Sequence, residues 1–287
     1  MTRRGALLFA AMCVIWGVPY LMIRVAVREL SPAALVFGRT VLGALVLAPF
    51  ALRTPVRTLL ARWWPLLAYT VIEVALPWVL LARAETKLSS SLTGLLIAAV
   101  PLVGAVLVTL RGHKQGRRRW LGLAIGMVGV AALLGLDLGS VDALAVVEVF
   151  VVAVCYAVGP IILSRSLSDL PALGVVIASL VVSALIFAPF AAWQWPDRTP
   201  SGRVLLSVVG LAVVCTALAF LVFFALIREI GPVRATVITY VNPAVAAVLG
   251  VSILDERLTA GMVVGFALIL VGSYFATGRG PDVVAEP

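Results

Sequence analysis

The chain has 287 residues, of which 63% are hydrophobic and 12% charged, with a net charge of +9 and a mean hydropathy of +1.16. Soluble domains carry about 45–50% apolar and about 25% charged residues, so a soluble globular fold, a disordered chain and a secreted disulfide scaffold are all excluded. A crossing of the roughly 30 Å hydrocarbon core takes about 20 apolar residues, so ten crossings consume about 200 residues and leave short loops.

Ten apolar runs follow one another along the chain. The first, 5–23, follows Arg3 and Arg4 and could pass for a signal peptide, but Trp16-Gly17-Val18-Pro19-Tyr20-Leu21 continues bulky and apolar where a cleavage site needs small residues. It reads as the first membrane helix. The next four run over 32–52, 63–82, 91–110 and 120–136, and the remaining five over 143–163, 172–193, 204–227, 235–254 and 261–276. The expected fold is therefore all-α integral membrane, with ten transmembrane helices as two inverted five-helix repeats, 5–136 and 143–277, and a short cytoplasmic tail, 278–287.

The repeat rests on register. Leu95 to Pro101 lies over Val237 to Pro243, and each proline is followed by a Gly-x-x-x-Gly pair, Gly122 with Gly126 and Gly261 with Gly265. Small residues at that spacing let membrane helices approach closely, so these glycines are expected to dock the last helix of each half on a neighbour or at a homodimer seam. An odd helix number per repeat inserts the halves in opposite senses. With both termini cytoplasmic, 14 Lys and Arg fall on the cytoplasmic side and 7 outside, as the positive-inside rule requires. The same rule explains the +9 charge without a nucleic-acid partner. Equivalent loops contrast most: five positives lie between Arg111 and Arg119, whereas the other loop reads Asp255-Glu256-Arg257.

Ionisable groups within a membrane are costly and usually face a cavity or a partner. Arg39 lies about 10 Å into its helix from Pro32, and either binds an anionic group of a substrate or makes a structural ion pair, for which Glu73 is the candidate. Glu73 stands four residues before Pro77, whose ring frees the Glu73 carbonyl. Glu73 and Glu148 are the two candidates for proton coupling, although Glu148, near the start of its helix, also fits a solvated or dipole-stabilised carboxylate. Trp16, Pro19 and Tyr20 in the first helix match Tyr156 and Pro160 in the sixth, and with Trp78 and Tyr240 they are expected to line a mid-membrane pathway. Asn242 joins them because a buried amide needs a partner. Pro77, Pro101, Pro160 and Pro243 are the expected hinges. Trp63, Trp64, Trp193 and Trp195 read as interfacial anchors. Cys13, Cys155 and Cys215 are far apart, no metal or cofactor motif is present, and the single histidine, His113, sits in the basic loop. An intramembrane enzyme is therefore the weakest of the function classes.

In Trp16-Gly17, Arg39, Ala75-Leu76-Pro77-Trp78, Asn242-Pro243 and Asp255-Glu256-Arg257-Leu258 followed by Gly261, Gly265 and Gly272, the chain resembles the drug/metabolite transporter superfamily, specifically a protein with two EamA-type repeats. The resemblance implies a ten-helix inverted-repeat carrier exporting small metabolites or drugs from the cytoplasm by alternating access, and the expected absence of an extended targeting or soluble domain fits a bacterial inner membrane. The segment Arg111 to Gly116 departs from the family pattern, which is usually acidic there. The expected partners are the lipid bilayer and a small amphipathic substrate. Proton coupling, an uncoupled facilitator and a channel stay open.

Overall fold

The computed structural model describes residues 2–51, 56–110, 116–135 and 142–277. Arg53, Arg111, His113, Lys114, Arg279 and the expected tail 278–287 lie outside the described residues. Within them the chain is helical without a strand. Its apolar helices are α1 (Arg3–Ala26), α2 (Pro32–Phe50), α3 (Trp63–Ala84), α4 (Ser90–Leu107), α5 (Arg117–Gly135), α6 (Ala143–Ser166), α7 (Ala172–Trp193), α8 (Gly202–Ile230), α9 (Ile238–Leu254) and α10 (Ala260–Thr277). Eight are long and apolar enough to cross a membrane, and α9 is a shorter apolar helix. α5 opens on three arginines. A short helix, Val56–Ala61, precedes α3.

The boundaries follow local chemistry. Side-chain oxygens of Thr2, Ser31, Ser89, Asp142 and Thr259 accept from backbone N–H groups three residues on, satisfying donors that a first helical turn leaves open. α1 is interrupted at Trp16 and Gly17, with Pro19 starting its second piece. α4 breaks at Ala98 and Ala99, one residue before Val100-Pro101 begins the next piece. Both breaks sit beside a proline, which supplies no amide donor of its own.

Helix contacts follow a two-fold pattern. α5 packs on α10, α2 on α7, and α4 on α9; α3 packs on α6 as α8 packs on α1. The α5–α10 contact is backbone to backbone: a Cβ added at Gly122 would come within 2.7 Å of the Gly272 carbonyl, and one at Gly265 within 2.6 Å of the Gly129 carbonyl. Gly126 accommodates the Leu102 side chain of α4 and the backbone of Gly272. These glycines, expected to dock the last helix of each half on a neighbour or at a homodimer seam, make their close contacts within the chain, where the two final helices dock on each other. Gly261 is buried at the start of α10.

Large apolar side chains cover the outside, among them Leu45, Leu121, Met127, Leu185, Leu206 and Val248. Such a surface belongs in lipid rather than water. Trp63, Trp64, Trp193 and Trp195 are exposed at helix ends.

Candidate functional site

Two six-residue π-helices, Thr70–Ala75 in α3 and Val213–Leu218 in α8, form the framework of the site. A π-helical turn inserts one extra residue and shifts the side chains that follow it to a new face. In α3 the Leu76 N–H donates to the Val71 carbonyl, five residues back, directly before Pro77. The expected proline kink is thus taken up by wider turns. In α8 the Thr216 hydroxyl donates to the Leu211 carbonyl at 2.8 Å, also five residues back. Glu73 and Thr216 are each the fourth residue of their π-helix.

Arg39 projects from the middle of α2 and is 7% exposed. Its Nε donates to Thr216 Oγ1 at 2.9 Å, and its guanidinium carbon lies 3.5 Å from the centroid of the Trp78 ring. A guanidinium stacked on indole is held by the ring's negative face, and its plane is fixed by the Nε bond. Tyr20, Tyr156 and Cys215 are the titratable groups within its electrostatic reach. The Arg39–Glu73 ion pair expected as one option is not formed. Arg39 faces α8 and the next turn of α3, whereas Glu73 faces α6.

There the Glu73 carboxyl lies against Gly159, where any Cβ would overlap it, and its Oε2 has no hydrogen-bond partner. Tyr69, Cys155 and Tyr156 lie within its electrostatic reach. Tyr156 and Tyr20 pack in one cluster with Leu81, Val152 and Ala246. Trp16 stands 4.7 Å from Phe223 and 6.3 Å from Phe220, ring centre to ring centre, and Phe220 joins the cluster that holds Trp78. The structure thus brings together Arg39, Trp78, Tyr20, Tyr156, Glu73 and, through Phe220, Trp16. Pro19 sits beside Tyr20 on the same helix piece, and Pro160 follows Gly159 in α6.

Three candidates lie elsewhere. Glu148 is not a solvated carboxylate: its Oε1 pairs with Arg83 Nε at 3.0 Å, with the Glu148 side chain 11% exposed. α6 packing on α3 excludes water from a group that lies close to its helix start. Asn242, with its amide oriented to donate, bonds the Ile238 carbonyl at 2.9 Å and the Cys13 carbonyl at 3.1 Å. It pins α9, one residue before Pro243, to the broken part of α1, where a Cβ at Gly17 would strike Val245 and approach the Asn242 carbonyl. Tyr240 contacts α10. Its hydroxyl lies 3.2 Å from Thr277 Oγ1, in a half-open groove of about 340 Å³ lined also by Val237, Leu270 and Tyr274.

Thr216 and Gly159 are the functional positions that sequence reading missed. A threonine in an apolar run reads as an ordinary helix residue, and the need for Gly159 appears only when Glu73 is seen to occupy its missing side chain. Among the described residues no three or more His, Cys, Asp and Glu converge as metal ligands.

The family described as EamA-like transporter family matches the chain twice, over residues 3–135 and 143–278. The chain is 28% identical over 272 residues to YedA, an uncharacterized inner membrane transporter of Escherichia coli K12, covering 91% of this chain and 88% of that protein. It is 24% identical over 277 residues to YvbV, an uncharacterized transporter of Bacillus subtilis, covering 93% and 89%. One solved crystal structure superposes with a TM-score of 0.65 at 21% identity, covering 96% of this chain and 97% of the other, so the two share a fold.

Proposed function

We propose, from the premise that the chain belongs to the EamA-like transporter family and is a multi-pass membrane transporter rather than an enzyme, that it is a secondary-active carrier exporting small amphipathic metabolites or drugs. In this reading all ten apolar helices cross a bacterial inner membrane, the halves 5–136 and 143–277 insert in opposite senses, and both termini are cytoplasmic. The double family match and the two-fold pattern of helix contacts support the duplication. The surplus of Lys and Arg on one set of loops supports the orientation. Two pseudo-equivalent halves suit alternating access, because exchanging their conformations converts one open side into the other.

The observation that carries the site is buried Arg39 held over Trp78 and bonded to Thr216, between the halves. A guanidinium has five N–H donors, and among the described residues that of Arg39 is hydrogen-bonded through Nε alone. The remaining donors suit the carboxylate or phosphate of a substrate whose apolar part rests on Trp78, Tyr20 and Tyr156. Glu73, unpaired on the facing side of the cluster, supplies the coupling carboxyl.

The test is transport by the purified protein in proteoliposomes, using compounds that raise its melting temperature in a metabolite screen. A carrier gives saturable counterflow; steady conductance without counterflow overturns the reading in favour of a channel. Gradient-driven export that persists unchanged with the pH gradient collapsed removes the proton from the mechanism and leaves an uncoupled facilitator.

A further inference from the structure

A second acidic site lies where the end of α3, the start of α4 and the turn between α9 and α10 meet. Glu85 follows the last residue of α3 and is fully buried, with neither carboxyl oxygen hydrogen-bonded. Its backbone is fixed instead: the N–H donates to Leu81 and the carbonyl accepts from Arg24 of α1. The position is therefore imposed by the chain, and the carboxyl is carried into the interior.

Glu256 approaches from the other half. Its Oε1 accepts from the Ser90 N–H at 2.8 Å and hydroxyl at 3.0 Å, and its Oε2 from the Ser91 N–H at 2.9 Å and hydroxyl at 2.6 Å. Two backbone donors at a helix start and two hydroxyls make this a seat for an ionised carboxylate. The turn is shaped to deliver it. Asp255 takes the left-handed conformation, φ 55°, and a Cβ at Gly250 would overlap both Glu256 Oε2 and Ser91 Oγ.

Half-buried Glu256 acts electrostatically on fully buried Glu85, and a like charge beside a desolvated carboxyl disfavours its ionised form. Burial, then the charge on Glu256, hold the Glu85 carboxyl well above the ordinary carboxylate range, with Arg24 opposing. Arg24 and Glu256 are the charged groups that act on Glu85, and Tyr20 of α1 also feels its charge.

We propose that Glu85 and Glu256 form a proton-operated latch: a proton on Glu85 allows ionised Glu256 to clamp Ser90 and Ser91, and its departure to water drives the α9–α10 turn away from α4. The latch joins one half of the chain to the other, so releasing it opens the bundle at that end. Its role as the proton-dependent gate of a carrier rests on the transport reading above; the latch itself does not. Tyr20 lies within electrostatic reach of both Glu85 and Arg39, which connects gate to site.

The experiment is an infrared pH titration of the full chain in lipid vesicles, reading the carboxylic-acid carbonyl stretch without any substrate. A band that titrates above the ordinary carboxylate range should vanish in Glu85→Gln and persist in Glu73→Gln. In Glu256→Gln its midpoint should fall, because the neighbouring charge is gone. Hydrogen exchange at the Ser90 and Ser91 amides, compared at equal pH, should rise in the unaltered protein above the midpoint and stay low in Glu85→Gln. A carbonyl band unchanged by Glu85→Gln, or identical amide exchange in the two proteins above the midpoint, overturns the latch. The latch failing while counterflow is intact leaves the carrier standing; a titrating band without counterflow retains the latch and removes the carrier.

Discussion

The π-helices of α3 and α8 are the same backbone device used for opposite purposes. In α8 the fourth residue, Thr216, has its hydroxyl proton committed to Leu211 and its oxygen accepting from Arg39. In α3 the fourth residue, Glu73, leaves one carboxyl oxygen without a hydrogen-bond partner, against the bare backbone of Gly159. Two halves that share helix packing thus differ at the point where the helix is widened. One positions a cation and the other stores an acid. A duplicated scaffold can bind a polar substrate asymmetrically only if such equivalent positions diverge, and these do so with Arg39 and Glu73 facing different neighbours rather than neutralising each other.

The largest way to break the contrast is to fill the space that Glu73 occupies. Gly159→Val should destabilise the protein by about 1–3 kcal/mol, the cost of overpacking a fitted interior, and abolish transport. A lowered melting temperature in detergent checks the first and counterflow the second. In a Glu73→Ala background, Gly159→Ala should be tolerated far better than alone. Additive losses in that double-mutant cycle would show that the two positions do not share one space.

Arg39 comes next. Arg39→Lys keeps the charge but loses the planar group that stacks on Trp78 and the Nε that bonds Thr216. A cation–π contact is worth about 0.5–2 kcal/mol and a charged hydrogen bond about 1.5–3 kcal/mol. Since lysine recovers part of each, a loss of about 2 kcal/mol in unfolding free energy is expected. Transport should fall at least tenfold, with Lys no better than Ala for a substrate recognised through two guanidinium donors.

Glu73→Gln should change stability by less than about 1 kcal/mol. Breaking a buried ion pair costs about 3–5 kcal/mol, and Glu73 is in no such pair. The expected loss is in function alone: gradient-driven export disappears while counterflow continues. A drop of several kcal/mol on melting would restore the Arg39–Glu73 pair.

That pair illustrates what could be read from the residues and what could not. Helices were readable because each carries an uninterrupted apolar run, and depth in the membrane followed from counting along it. Azimuth did not. Arg39 and Glu73 are at depths that permit pairing, but the π-turn rotates α3 so that Trp78, not Glu73, meets the guanidinium. Glu148 misled for a related reason: its position near a helix start suggests water, and only the packing of α6 on α3 reveals Arg83 beside it. Asn242 was expected to need partners, and it has two backbone carbonyls, that of Ile238 in its own helix and that of Cys13, which fastens α1 to α9. Glu85, at the first residue after α3, looks like a loop carboxylate until the chain is folded and its burial seen.

The smallest effect distinguishes cause from coincidence in the π-helix of α3. Pro77 lies two residues beyond its end and lacks an amide hydrogen, so the carbonyl of Glu73 has no α-helical donor and a wider turn relieves the mismatch. Yet α8 forms the same element over Val213–Leu218 with no proline within or just after it. If packing between the halves sets both, Pro77→Ala should leave the π-turn in place, with stability shifted by less than about 1 kcal/mol and counterflow near that of the unaltered protein. If the proline alone sets it, the helix loses its extra residue, everything on one side of the turn rotates by about 100° relative to the other, and Glu73 can no longer face Gly159 while Trp78 meets Arg39. The tryptophan environment reports the outcome directly, since losing the cation above Trp78 would change its fluorescence even where melting does not.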